Sequence, residues 1–172
     1  MPYPEQLVTP MRQELTRLGV EELESVADVD RAMEAANTGT TLAIINSVCG
    51  CAAANARPAV AMAKGHRVQP DRYVTVFAGQ DLEATARLRE YLAGIPPSSP
   101  FMALFKDGDP VFLLERRNIE GRSASAIAHD LAAAFTRFCD NGEVRDNSAG
   151  EASEVQGDGL KEKLPPTFRS IL

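Results

Sequence analysis

The sequence has no tryptophan, two histidines and three cysteines among its 172 residues, and each scarcity removes a class of protein. An odd count of three cysteines does not build the paired staples of a small secreted scaffold. A zinc centre takes about four ligands, whereas His66 and His129 stand at no ligand spacing from the thiols and read as surface residues. No apolar run approaches the roughly 20 residues of a membrane span. The start, "MPYPEQLVTPMRQEL", lacks the basic segment and apolar core of a signal peptide. A net charge of −6 argues against nucleic acid or an anionic membrane as partner, since both reward clustered Lys and Arg. The expectation is a cytoplasmic protein with no bound metal or cofactor, which binds neither nucleic acid nor membrane.

What is present is an ordinary globular composition, 44% apolar and 24% charged, long enough for one domain with a full core. A first helix is expected with Thr9 as its cap, Pro10 in its first turn, Met11, Leu15 and Leu18 on one face, and Gly19 at its end. A second runs from about Asp28 through "DVDRAMEAAN". The stretch "TTLAIINSV" then reads as a strand buried on both faces. "AAANARPAVAMAKG" continues as a helix that Pro58 must bend. A strand over 71–79 follows, then a helix capped by Asp81 and closed by Gly94. Beyond the rigid "IPPSSP", two strands, "FMALFKD" and "VFLLERR", are too closely linked for anything but an antiparallel turn. Ser123 caps a last helix whose Ile127, Leu131, Phe135 and Phe138 form one apolar stripe.

After Cys139 the texture changes. Residues 140–172 carry seven acids and four bases, a net of −3, and read as an acidic, disordered tail; residues 1–139 form the domain. Two leading helices followed by β-α-β-α-β-β-α imply an α/β fold, a central mixed sheet flanked by helices with an N-terminal helical extension. This is the element order of the thioredoxin fold, whose reactive cysteine lies where the first core strand enters its following helix.

Cys49 falls at that junction, in "INSVCGCAAANARPA". Unpaired amides and the positive end of the macrodipole favour thiolate over thiol there, which makes Cys49 a nucleophile. Two inert, packed cysteines are the plain alternative, but packing does not ask for two thiols within three positions at a helix entrance. Cys51 is i+2, about 200° around a helix axis from Cys49, and does not face it. A Cys49–Cys51 bridge would need local unwinding at Gly50 and would be strained. An intermolecular mixed disulfide on Cys49 is therefore favoured, with Cys51 as an auxiliary resolving thiol. Pro100 stands directly before a strand, where this architecture usually places a cis-proline against the reactive cysteine, and the backbone before it, at Ser99, offers hydrogen bonds to a bound thiol. X–Pro bonds in folded proteins are cis in only about 5–6% of cases, so this expectation rests on the fold. Asn55 and Arg57 lie one to two turns beyond the cysteines. Arg57 could sense a thiolate or a small thiol's carboxylate, although an exposed helix arginine is the ordinary expectation. Gly50, Asn55, Arg57, Ser99 and Pro100 are thus the thiol-binding candidates; Cys139 is taken as packing.

The stretch "INSVCGCAAANARP" resembles the bacilliredoxin signature "VNSVCGCAAGNARP". "PYPEQLVTPMRQELTRLG", "DRYVTVFAGQD", "PPSSP", "ALFKDG" and "IEGRSA" match the same family in order, over roughly residues 2 to 139. The resemblance implies reduction of mixed disulfides between protein cysteines and a low-molecular-weight thiol, bacillithiol in the best-known members, as co-substrate. Cys49 would take the thiol onto itself and release the repaired client protein. Free bacillithiol or a flavin-dependent disulfide reductase would reset it. A disulfide isomerase or reductase cycling a Cys49–Cys51 disulfide, and a non-catalytic redox sensor, are the alternatives. Three departures stand out: Ala54 in place of a glycine, Phe101 where a small polar residue is expected and a narrowed thiol groove would result, and a tail without a recognised counterpart.

Overall fold

A computed structural model describes residues 2–141; the expected tail falls, from residue 142 on, outside the described residues. In chain order the elements are α1 (Glu5–Thr16), β1 (Glu21–Glu22), α2 (Val26–Ala35), β2 (Thr40–Asn46), a π-helical turn (Ala52–Ala56) running into α3 (Arg57–Ala63), β3 (Arg72–Phe77), α4 (Leu82–Glu90), β4 (Phe101–Lys106), β5 (Asp109–Leu114), α5 (Arg116–Ile119) and α6 (Ala124–Cys139). The strands form one mixed sheet in the order β1-β3-β2-β4-β5.

β2 decides the architecture. Its threonines and isoleucines favour extended backbone, and all seven of its residues are buried, as a strand covered on both faces requires. It pairs parallel with β3 across the α3 crossover and antiparallel with β4. Leu42 and Ile44 enter an apolar layer with Leu15, Val60, Leu131 and Phe135, while Ala43 and Ile45 enter another with Val29, Met33, Ala84 and Leu88. The helices α1, α3 and α6 thus cover one face, and α2 and α4 the other. This is the α/β arrangement of the thioredoxin-like fold.

Four local readings change. α1 begins at Glu5, not after Thr9; Pro10 lies inside it and the Thr9 hydroxyl donates back to the Glu5 carbonyl at 2.8 Å. Burial of Val8, Arg12 and Leu15 offsets the hydrogen bond that Pro10 removes. Asp81 does stand at the start of α4, but its carboxylate does not cap. It accepts two 2.8 Å bonds from the buried Arg12 instead. The β4–β5 turn is Asp107-Gly108, both with positive φ (48° and 87°), the two-residue hairpin geometry that suits strand twist. A Cβ on Gly108 would stand 2.7 Å from Asn37 Oδ1, so only glycine fits. β1 and α5, too short to show a periodicity, were not expected.

Candidate active site

β2 ends at Asn46, and the chain passes through Ser47 and Val48 into a helical run that opens at Gly50. Cys49 holds the cap position: its carbonyl accepts from the amides of Ala52 at 3.0 Å and Ala53 at 3.2 Å. Its Sγ does what a capping hydroxyl does, accepting from the Ala52 amide at 3.3 Å. From the other side the Ser47 hydroxyl donates to the same sulfur at 3.2 Å. Ionised acceptors take stronger hydrogen bonds than neutral ones, and the helix start adds positive potential. The arrangement therefore favours thiolate.

The balance of effects agrees. Burial pushes the Cys49 thiol up, but hydrogen bonds from the Cys51 side chain, the Ser47 hydroxyl and the amides of Ala52 and Cys51 outweigh it, and the net shift is downward. Burial is the largest single effect on this thiol, and it is only together that the donors exceed it. Cys51 moves the opposite way. Burial, its hydrogen bond to Cys49 and the nearby Cys49 charge keep it protonated, against the pull of Arg116. The two thiols titrate as a pair, with the charge resting on Cys49.

Pro58 falls in the first turn of α3, directly after the π-turn at Ala52–Ala56. There the Arg57 amide reaches back to the Ala52 carbonyl, five residues away, and the wider turn relieves the pressure a proline ring exerts on the carbonyl four residues earlier. Ala54 is exposed on this turn.

The sheet register brings the second part of the site alongside. Ile45 pairs with Phe101 and Met102 with Leu114; continued by one step on the first side and two on the second, the register sets Pro100 between Asn46 and Arg116. The Ser99–Pro100 bond is cis and Pro100 is buried. The Arg116 amide donates to Ser98 Oγ at 3.3 Å, and its guanidinium interacts electrostatically with both thiols. Gly50 is exposed, with nothing within 4 Å of where a Cβ would stand.

Other candidates are turned elsewhere. Asn55 donates its side-chain amide to the Arg122 carbonyl. Arg57, against the ordinary expectation of an exposed helix arginine, is 3% exposed and points at Glu14, Asn46 and Ser47. Phe101 is buried in the layer under α2 and α4 and does not narrow a groove at Cys49. Ser47 and Arg116 escaped the sequence reading. Ser47, two residues before the cysteine, was legible as a hydroxyl beside a thiol; Arg116 is placed only by the β4–β5 register. Among the described residues no three of His, Cys, Asp and Glu gather as a metal site requires. None of the described helices is long and apolar enough to cross a membrane.

A family model described as disulphide isomerase matches residues 3–139. A bacilliredoxin of Salinibacter ruber is 59% identical over 172 residues, covering 99% of each chain, and a second from that organism is 53% identical over the same span. A bacilliredoxin of Halalkalibacterium halodurans is 52% identical over 138 residues, 80% of this chain and 95% of the relative. The tail beyond Cys139, for which the sequence reading found no counterpart, thus has one in the Salinibacter proteins and lies outside the family model. The chain belongs to the bacilliredoxin family, a family of thiol–disulfide oxidoreductases.

Proposed function

We propose that this protein removes a low-molecular-weight thiol, bacillithiol or one like it, from mixed disulfides on client proteins. The Cys49 thiolate attacks the small thiol's sulfur. The client's S–S bond breaks, the client sulfur leaves as thiolate and takes a proton, and the small thiol is now disulfide-bonded to Cys49. A free small thiol attacks the bound small thiol's sulfur, leaves as a small-thiol disulfide and returns Cys49 to its starting thiolate; where Cys51 attacks the Cys49 sulfur instead, the small thiol is expelled and a Cys49–Cys51 bridge is left. The electrons then come from a disulfide reductase, of the flavin-dependent kind, acting on the small-thiol disulfide or on a Cys49–Cys51 bridge.

The observation that carries this reading is the Cys49 sulfur at a helix start, accepting from the Ala52 amide at 3.3 Å and the Ser47 hydroxyl at 3.2 Å, with its thiol biased downward and that of Cys51 upward. An attacking sulfur needs the charged state. The open surface at Gly50 leaves room for a client backbone, and the backbone at Ser99, before Pro100, is offered to the bound thiol. Asn55 and Arg57, turned to protein groups, support the site from behind.

The test is a thiolated model protein mixed with the Cys51→Ser variant and followed by mass spectrometry. The small thiol should move onto Cys49, and Cys49→Ser should take up none. Transfer to Cys51, or activity that survives loss of Cys49, would sink the reading. The nearness of the two thiols, each of which shifts the other's titration, favours one alternative, a dithiol isomerase or reductase. It predicts an internal Cys49–Cys51 bridge after mild oxidation and equal dependence on both cysteines.

A further inference from the structure

Arg57 is a buried charge that the proposed reaction does not use. At 3% exposure a guanidinium is costly unless fully paired. Its Nε donates to Glu14 Oε2 of α1 at 2.8 Å. Its Nη1 donates to Asn46 Oδ1 at 3.1 Å and to the Ser47 carbonyl at 3.0 Å. Asn46 Oδ1 also accepts from the Ser47 amide at 2.9 Å, and Asn46 Nδ2 donates to the Met11 carbonyl of α1 at 3.4 Å. With its amide and carbonyl both held, Ser47 has its hydroxyl left for Cys49 Sγ, 3.2 Å away.

We propose that Arg57, seated on Glu14, is a positioning residue that fixes the Asn46–Ser47 step and so keeps the Ser47 hydroxyl on the Cys49 sulfur, making the N-terminal helix part of the thiolate's support. This rests on the reading of Cys49 as the attacking sulfur. Arg57 acts through Ser47: its guanidinium donates to Glu14, Asn46 and the Ser47 carbonyl, while the hydroxyl that reaches the sulfur belongs to Ser47.

The experiment is iodoacetamide alkylation of Cys49 in the full chain, read by mass spectrometry across pH, for wild type, Ser47→Ala, Arg57→Gln and the double variant, with circular dichroism to confirm folding. Each single variant should move the alkylation midpoint upward and slow the reaction at neutral pH by about tenfold or more, the loss of one hydrogen bond to a charge. The double variant should be no slower than the slower single, because both changes remove one contact. An unmoved midpoint in Arg57→Gln, or effects that multiply in the double variant, overturns the proposal. If Arg57→Gln does not fold, Arg57→Lys and Glu14→Gln take its place. Lysine keeps the charge without the planar fork, so both should shift the midpoint upward, and two wild-type midpoints would overturn the proposal. A wild-type midpoint near that of a free thiol, about 8.5, would remove the attacking role of Cys49 and this inference together. A low wild-type midpoint indifferent to Arg57 removes this inference alone.

Discussion

β2 has a cysteine beyond each of its ends, and the two differ in almost everything but the atom. Past Asn46, Cys49 caps the start of a helix, half-exposed, with hydroxyl, thiol and amide donors on its sulfur. At the Thr40 end, Cys139 is the last residue of α6 and lies in the core. Burial pushes its thiol up and Asp71 adds to that; the Thr40 hydrogen bond and Lys106 oppose without prevailing. A helix start offers unpaired N–H groups and positive potential, a helix end unpaired carbonyls and negative potential. One fold thus biases two thiols in opposite directions at opposite ends of one strand.

The largest test of that contrast is catalytic. Cys49→Ser should lower de-thiolation of a mixed-disulfide client by at least about a thousandfold, while Cys139→Ser leaves the rate within about twofold of wild type. A comparable loss in both would erase the distinction. Next comes reactivity at neutral pH, where Cys49 should alkylate at least about a hundredfold faster than Cys139 in native protein and at a similar rate in urea. The sign follows from the shifts: Cys49 is lowered, so its rate should level off below the pH at which an ordinary thiol does, whereas the Cys139 rate should still be rising there. Equal native rates would show that position does not matter.

Stability should sort the two ends in reverse. Cys139→Ser places a hydroxyl in the apolar layer and should cost about 1–2 kcal/mol by urea unfolding; Cys49→Ser, which puts a favoured capping residue at a half-exposed site, should cost less. The smallest effect is expected at Gly50. Its open surroundings allow Gly50→Ala to gain up to about 1 kcal/mol, while reaction with a bulky thiolated protein slows more than reaction with a small disulfide. Equal slowing of both would mean that the surface at Gly50 is not where clients approach.

The long elements were legible because burial leaves a pattern: β2 by its β-branched run, α6 by the Ile127, Leu131 and Phe135 stripe and its Ser123 cap. The misread boundaries share one cause. Thr9-Pro10 has the form of a helix start, yet contacts around Arg12 draw α1 back to Glu5; Asp81 has the form of a cap, yet the same Arg12 claims its carboxylate. In each case an interaction between residues far apart in sequence displaced a local preference. Arg57 is the sharpest example. Read along its own helix it is one more surface cation, and only the approach of α1 with Glu14 and of β2 with Asn46 makes its burial possible.

By itself the sequence determined the long strands and helices, that two cysteines sit where a buried strand gives way to a helix, and which family the chain resembles. These are properties of neighbours along the chain, carried by periodicity, capping and residue order. Tertiary structure alone decided that Arg57 faces inward and that Arg116 stands by the thiols. Those depend on where side chains from α1, β2, α3 and α5 converge, and that convergence is set by burial of the two apolar layers and by sheet register, which no local stretch of sequence contains.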